Sequence, residues 1–89
     1  MNFSEALELL KQGKKLQRKG WNGKNQMVVM QKGYPEGINA NKNTREAWDL
    51  KEGELFIVDP YLQLQSPSKR HSMWVPSIND LFAEDWRVV

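Results

Sequence analysis

The sequence predicts an α+β fold, with an N-terminal helix packed on a small antiparallel β-sheet and two further short helices. Three observations predict it: an amphipathic stretch near the N-terminus, several short strand-like runs between turn residues, and two later segments that begin with helix-capping residues. A chain of 89 residues fits one domain, so residues 1–89 are expected to form a single unit.

The first helix is predicted by the spacing of its apolar residues. They recur at the i, i+3, i+4, i+7 positions of an amphipathic helix, at Phe3, Ala6, Leu7 and Leu10. The stretch "NFSE" is typical of a capping box from Asn2 to Glu5, and Gly13 is expected to end the helix.

The strands are predicted from short runs of β-formers. "KLQRK" (15–19) and "QMVVMQK" (26–32) are expected to form a hairpin whose loop is "GWNGKN" (20–25). In "YLQLQ" the alternation predicts that Leu62 and Leu64 face inward and the glutamines outward. The remaining strand-like runs are "ELFIV" (54–58), "RHSMWV" (70–75) and "DWRVV" (85–89).

Two short helices complete the predicted fold. Residues 32–54 are rich in Gly, Pro and Asn, and we expect loop there except for a helix in "NTREAW", capped at Asn43 with Glu46 three residues later. "SIND" is typical of a second capping box, from Ser77 to Asp80, which opens a helix through "LFAE".

Composition excludes several classes of protein. The chain has no cysteine, so a disulfide framework and a thiolate metal site are excluded. The longest apolar runs, "MVVM" and "LFIV", are far shorter than the roughly 20 residues that cross a bilayer, and charged residues interrupt the apolar positions at the N-terminus. We therefore predict a cytoplasmic protein without a membrane span or cofactor.

Positive charge is concentrated in one segment. Residues 1–30 contain six Lys/Arg and two Glu, net +4, whereas residues 31–60 contain four basic and six acidic residues, net −2. The segment "KKLQRKGWNGK" (14–24) has five basic residues and no acidic one, and it surrounds Trp21. This combination suits a phosphate-bearing aromatic ligand, although a solvated strand edge protected by lysines would have the same composition.

Several segments, in order, carry a resemblance to a known family: "MNFSEALELLKQGKK", "RKGWNGK", "YPEGI", "PYL" and "MWVPSINDLFAEDW". The chain resembles a family of small phage and prophage proteins that includes the second class of Thoeris anti-defence proteins. The resemblance implies a small α+β homo-oligomer, a dimer or tetramer, in the host cell cytoplasm. It also implies that the protein sequesters a cyclic ADP-ribose isomer, glycocyclic ADP-ribose, made by a host TIR-domain protein.

Such a ligand has an adenine, two riboses and a pyrophosphate, so its binding site needs an aromatic surface for the base. Trp21 and Trp74 are the best stacking candidates, because each lies beside Gly or Pro and polar residues. Core packing is the alternative for both, and for Trp21 the sequence favours neither. Trp86 is expected in the core, and Trp48 is a weaker candidate.

The polar candidates divide by the group that they would bind. Arg18, Lys19 and Lys24 could contact the pyrophosphate, with Arg18 preferred for its two-pronged guanidinium, unless they are only surface cations. At the start of the last helix, Ser77, Asn79 and Asp80 could accept hydroxyls or the base, unless Ser77 and Asp80 only cap each other. Lower-ranked candidates on loops are Asn22, Tyr34 and Asn39.

Enzymatic function is not expected from this sequence. His71 is the only histidine, no serine lies in a nucleophile-elbow context, and the neighbouring Glu84 and Asp85 diverge in direction. Two alternatives to nucleotide sequestration remain open. One is a single-stranded nucleic-acid binding module, but the basic segment is too short for a groove along several nucleotides, so nucleic acid is not the expected partner. The other is a protein that docks on a host enzyme and inhibits it.

Overall fold

Over the residues that the structure describes, the protein is an α+β structure with two antiparallel sheets and three helices. The computed structural model describes residues 1–21 and 25–89. Along the chain the elements are α1 (Phe3–Lys11), β1 (Leu16–Arg18), β2 (Met27–Gln31), β3 (Tyr34–Asn39), α2 (Lys42–Trp48), β4 (Leu55–Val58), β5 (Tyr61–Gln65), β6 (His71–Met73), α3 (Ile78–Phe82) and β7 (Trp86–Val88). The predicted fold class is therefore confirmed.

The larger sheet has five strands in the order β6-β5-β2-β1-β7, and every neighbouring pair is antiparallel. The β1–β2 hairpin predicted around Trp21 is present, with Leu16 opposite Val28. β7 is an edge strand beside β1, and this pairing places Arg18 opposite Trp86. Residues close to the end of the chain are thereby brought beside the basic segment near its start.

Helix α1 begins and covers the sheet as its sequence predicts. Asn2 and Glu5 form the expected capping box, in which each side chain accepts a hydrogen bond from the other residue's backbone N–H. The helix ends before Gly13, whose φ of +90° lies in the left-handed region that glycine tolerates. Its buried face packs on the sheet, and the fully buried core consists of Ala6, Leu10, Leu16, Val28 and Trp86.

The residues around this core include the two leucines predicted to face inward. Leu62 and Leu64 of β5 pack against the buried cluster, whereas Gln63 forms a side-chain hydrogen bond to Gln31 of the neighbouring strand. The predicted alternation of β5 is thus confirmed. A small core of this kind leaves little redundancy, so each large buried side chain contributes much of the stability.

The two-stranded sheet of β3 and β4, together with α2, forms what we term the arm. β3 and β4 pair with each other and not with the five-stranded sheet, and the molecule extends 46 Å along its longest axis but only 26 and 21 Å along the others. The expectation of loop from residue 32 onward was wrong for β3. Gly37 (φ +87°) and a register irregularity between Tyr34 and Ile38 let a strand form despite its Pro and Gly.

The predicted N-cap of α2 was also wrong, by two positions. The helix is capped by Asn41, whose side-chain oxygen accepts a 2.8 Å hydrogen bond from the backbone N–H of Thr44. Asn43 therefore lies inside the helix and does not pair with Glu46. Two asparagines within three residues offered two equally suitable caps, and local sequence could not choose between them.

Candidate functional site

Three tryptophans and one phenylalanine meet beside α1 and form what we term the aromatic cluster: Phe3, Trp21, Trp74 and Trp86. The ring centroids of Trp21 and Trp74 are 6.1 Å apart, and each of these rings lies edge-to-face on Trp86 at 5.2 and 6.0 Å. Phe3 packs on Trp74 and Trp86 from the helix side. Such tilted contacts between aromatic rings are favourable beyond the area that they bury.

Burial differs sharply within the aromatic cluster. Trp86 is only 2% exposed, which confirms its prediction as a core residue. Trp21 and Trp74 pack against the core but are only partly buried, so part of each indole remains open to solvent. The two stacking candidates are therefore neighbours, and each packs against the core while it remains partly accessible to solvent.

Arg18 lies beside the aromatic cluster and pairs with two carboxylates. Its Nη1 is 3.0 Å from Oδ1 of Asp80, and its Nε is 2.9 Å from Oδ1 of Asp85. Bonds of this type between charged groups are stronger than those between neutral ones. We refer to Arg18, Asp80 and Asp85 as the ion-pair network. A phosphate that reached Arg18 would bind to N–H groups other than the two already used.

Asp80 is the most heavily bonded member of the ion-pair network. Its Oδ2 accepts a hydrogen bond from the backbone N–H of Ser77, and its own N–H donates to Ser77 Oγ, so the predicted capping box is present. Its backbone carbonyl accepts a 3.0 Å hydrogen bond from the indole Nε1–H of Trp86. The other carboxylate oxygen of Asp80, Oδ1, is not free for a ligand, because it accepts a hydrogen bond from Nη1 of Arg18.

The electrostatics of the ion-pair network favour its charged form. The pKa of the Asp85 carboxyl is lowered, chiefly by the hydrogen bond from Arg18 and further by that from the Gly20 N–H. Burial by itself raises the pKa of the Asp80 carboxyl, but hydrogen bonds from Ser77 and Arg18 outweigh burial and lower it. The same bonds raise the pKa of Arg18, so all three groups remain ionised near neutral pH.

The structure brings together only some of the predicted site residues. Trp21, Trp74, Arg18, Ser77 and Asp80 form one contiguous region, and Asn79 lies exposed on α3 beside them. Lys19 is exposed and adjoins the same region. Asn22 and Lys24 lie outside the described residues.

Tyr34 and Asn39 belong to the arm and not to this region. Tyr34 lines a cleft of about 1000 Å³ between the arm and the five-stranded sheet, whose walls include Met30, Phe56, Tyr61 and Met73. Asn39 lines a smaller pocket, of about 310 Å³, together with Arg45 and Glu54. Their grouping with Trp21 in the sequence rested on residue type alone.

Asp85 and Phe3 are members of this region that the sequence did not indicate. The sequence places Phe3 among the apolar residues of α1, and it predicts no binding role for Asp85, whose side chain diverges from that of Glu84. Their proximity to Arg18 and Trp74 depends on the pairing of β1 with β7 and on the packing of α1. The only signal in the sequence was the position of Asp85 directly before a strand that could pair with the basic segment.

Among residues 1–21 and 25–89, no three His, Asp or Glu side chains are grouped so that they could hold a metal ion. Within the same ranges, no helix combines the length and the apolar character needed to cross a membrane.

Comparison with known proteins gives one consistent result over the whole chain. A family model described as the Thoeris anti-defense 2-like domain matches residues 1–89. A protein of Bacillus phage SP01 named Thoeris anti-defense 2 is 33% identical over 93 aligned positions, which cover 100% of this chain and 94% of that relative.

The ion-pair network predicts a loss of stability in acid. Because the pKa values of Asp80 and Asp85 are lowered in the folded state, their contribution is fully present above the unfolded value of about 3.9 and is lost as pH falls below it. Urea unfolding midpoints measured between about pH 6 and pH 2 should therefore decrease. In the Asp80→Asn/Asp85→Asn variant the decrease should be shallower; an equal slope in both proteins would contradict the assignment.

Proposed function

Because the chain belongs to the Thoeris anti-defense 2 family, and so acts for a phage against Thoeris defence, we propose how it does so. It binds a cyclic ADP-ribose isomer, glycocyclic ADP-ribose, made by a host TIR-domain protein, and holds the signal without degrading it. The signal then does not reach the rest of the Thoeris defence, although the protein does not inhibit the host enzymes themselves.

One observation carries this proposal: two partly buried indoles lie side by side next to a charged network. The exposed parts of Trp21 and Trp74 provide an aromatic surface for an adenine ring, and their packing on Trp86 holds them in place before the ligand arrives. Pre-ordered aromatic groups bind well because little side-chain entropy remains to be lost.

Charge near the indoles supports the same ligand class. Lys14, Lys15 and Lys19 are exposed on the basic segment that leads to Trp21, and they provide a positive field for a pyrophosphate. At the start of α3, the Ser77 hydroxyl accepts a hydrogen bond from the Asp80 N–H and can still donate one, and Asn79 is exposed. We infer that both are available to ribose hydroxyls. A ligand with a base, sugars and phosphates matches these three kinds of group.

Binding without turnover is part of the proposal. Near Trp21 and Trp74, Arg18 forms ion pairs with the carboxylates of Asp80 and Asp85. Both carboxylates stay ionised near neutral pH. An arginine-paired carboxylate with a lowered pKa is a poor general acid and a weak general base. The arrangement therefore suits holding a ligand better than cleaving it.

We further propose that the working unit is a homo-oligomer, a dimer or a tetramer. Val75, Ile78 and Phe82 are strongly exposed on and before α3, close to the aromatic cluster. Several large exposed apolar side chains on one short segment of a small protein are typical of an interface. A second copy over α3 would also enclose a ligand at Trp74 more completely than one chain does.

Sequestration predicts that the ligand survives binding. Glycocyclic ADP-ribose incubated with excess protein should disappear from the free pool and, after heat denaturation of the protein, return intact on chromatography. A short single-stranded oligonucleotide serves as the comparison ligand and should show no binding by calorimetry. A product that accumulates with time would instead identify an enzyme, and tight binding of the oligonucleotide alone would favour the nucleic-acid alternative.

The aromatic surface predicts different effects for the four tryptophans. Trp21→Ala and Trp74→Ala should each weaken ligand binding by about 1–3 kcal/mol, the usual contribution of a base stacked on an aromatic ring. Trp86→Ala should mainly lower the free energy of unfolding, by about 3–5 kcal/mol, because it empties the core. Trp48→Ala is the matched control, since Trp48 is 69% exposed on the arm and should affect neither quantity. Normal binding by both the Trp21 and the Trp74 variants would exclude this surface.

The oligomer predicts a mass above that of one chain. Light scattering at micromolar concentration should give a multiple of 10.4 kDa. Ile78→Asp should shift the mass toward the monomer by placing a charge in the apolar contact, whereas Asn79→Asp adds the same charge at the neighbouring exposed position and should not. A monomeric wild-type protein that binds the ligand fully would disprove the shared site.

A further inference from the structure

Asp85 bonds to three consecutive residues that lead directly to Trp21. Its Oδ1 accepts a hydrogen bond from Nε of Arg18, its backbone carbonyl accepts one from the N–H of Lys19, and its Oδ2 accepts one from the N–H of Gly20, each at 2.9 Å. No other single residue of the described chain has both its side chain and its backbone carbonyl bonded to this stretch. Asp85 thus holds the three residues that precede Trp21.

These bonds fix a closed turn. The N–H of Trp21 donates to the carbonyl of Arg18 at 3.1 Å, which closes a turn over residues 18–21 that we call the Arg18–Trp21 turn. Gly20 lies directly against the carboxylate: a Cβ at this position would lie 3.1 Å from Oδ2 of Asp85. The glycine therefore permits the close approach on which the Gly20 N–H bond depends.

Neutralising Arg18 does not by itself account for Asp85. Asp80 already pairs with Arg18, and its side chain is only 11% exposed compared with 32% for Asp85, so it is the better shielded partner. A second carboxylate beside the same arginine leaves the network with one excess negative charge. The contribution that the side chain of Asp85 makes, and that of Asp80 does not, is the bond to the N–H of Gly20.

We propose that Asp85 is a positioning residue that holds the Arg18–Trp21 turn so that the indole of Trp21 faces a ligand. The inference rests on the proposed binding of a cyclic ADP-ribose isomer at Trp21 and Trp74. Asp85 acts through the turn and does not itself contact the ligand. By ordering the turn in advance, it reduces the entropy that binding would otherwise cost.

The test compares three single variants with the wild-type protein. Asp85→Asn keeps the shape but removes the charge, Asp85→Ala removes every side-chain bond, and Glu84→Gln is the matched control because it neutralises the neighbouring exposed carboxylate. Two quantities are measured well below the melting temperature of each variant. One is affinity for glycocyclic ADP-ribose by calorimetry; the other, without any ligand, is the set of indole N–H resonances, assigned by single Trp→Phe variants.

We expect a graded effect from the two Asp85 variants. The affinity of Asp85→Ala should fall about tenfold, in the range for loss of charge-assisted hydrogen bonds, and that of Asp85→Asn by less. In both, the Trp21 resonance should shift or broaden, while the methyl resonances of the fully buried Val28, recorded on the same samples, stay in place because the core is intact. Glu84→Gln should match the wild-type protein in both measurements.

The outcomes separate this inference from the proposed function. If wild-type protein binds the probe, and both Asp85 variants bind equally well with an unchanged Trp21 resonance, the positioning role is disproved and sequestration stands. If wild-type protein does not bind the probe, the proposed function fails, and the inference, which rests on it, fails as well. If the Val28 methyl resonances change together with the Trp21 resonance, Asp85 is a general structural residue and the inference is overturned.

Discussion

The burial of Trp86 is the constraint on which the other features of this structure depend. Its indole is the base on which Trp21, Trp74 and Phe3 pack, and its Nε1–H bonds to the carbonyl of Asp80 in α3. Its backbone lies opposite Arg18 in the sheet. One residue thus fixes the edge strand, the short helix and the aromatic cluster relative to each other. Trp86 is also the largest of the fully buried side chains among the described residues.

The proposed binding site and the hydrophobic core share side chains in this protein. Trp21 and Trp74 support the core with one part of each ring and leave another part open, and Asp80 caps α3 while it pairs with Arg18. A domain of this size has few residues beyond those that its core needs, so the same residues contribute to the core and to the proposed site. The consequence is that substitutions near the site change folding and binding together, and both must be measured.

How far the site could be predicted depended on the range of the interactions involved. The capping box of Ser77 and Asp80 was predictable, because both partners lie within one turn of helix. The type of residue at Trp21, Trp74 and Arg18 also indicated an aromatic and cationic region. The sequence could not show that Arg18 is shared by two carboxylates from the far end of the chain, nor that Tyr34 and Asn39 lie elsewhere on the arm.

The sequence by itself determined the α+β class, the hairpin around Trp21, the boundaries of α1, the start of α3 and the resemblance to an anti-defence family, because these follow from periodicity, capping residues and ordered motifs. The predicted extension of α3 through Glu84 was wrong, since the helix ends at Phe82. Only the tertiary structure decided that β3 forms within a segment rich in Gly and Pro, that Asn41 caps α2, and that Asp85 reaches Gly20. The physical reason is the same in each case. Strand pairing and packing between distant segments contribute free energies that exceed local preferences, and a linear sequence does not state which distant segments meet.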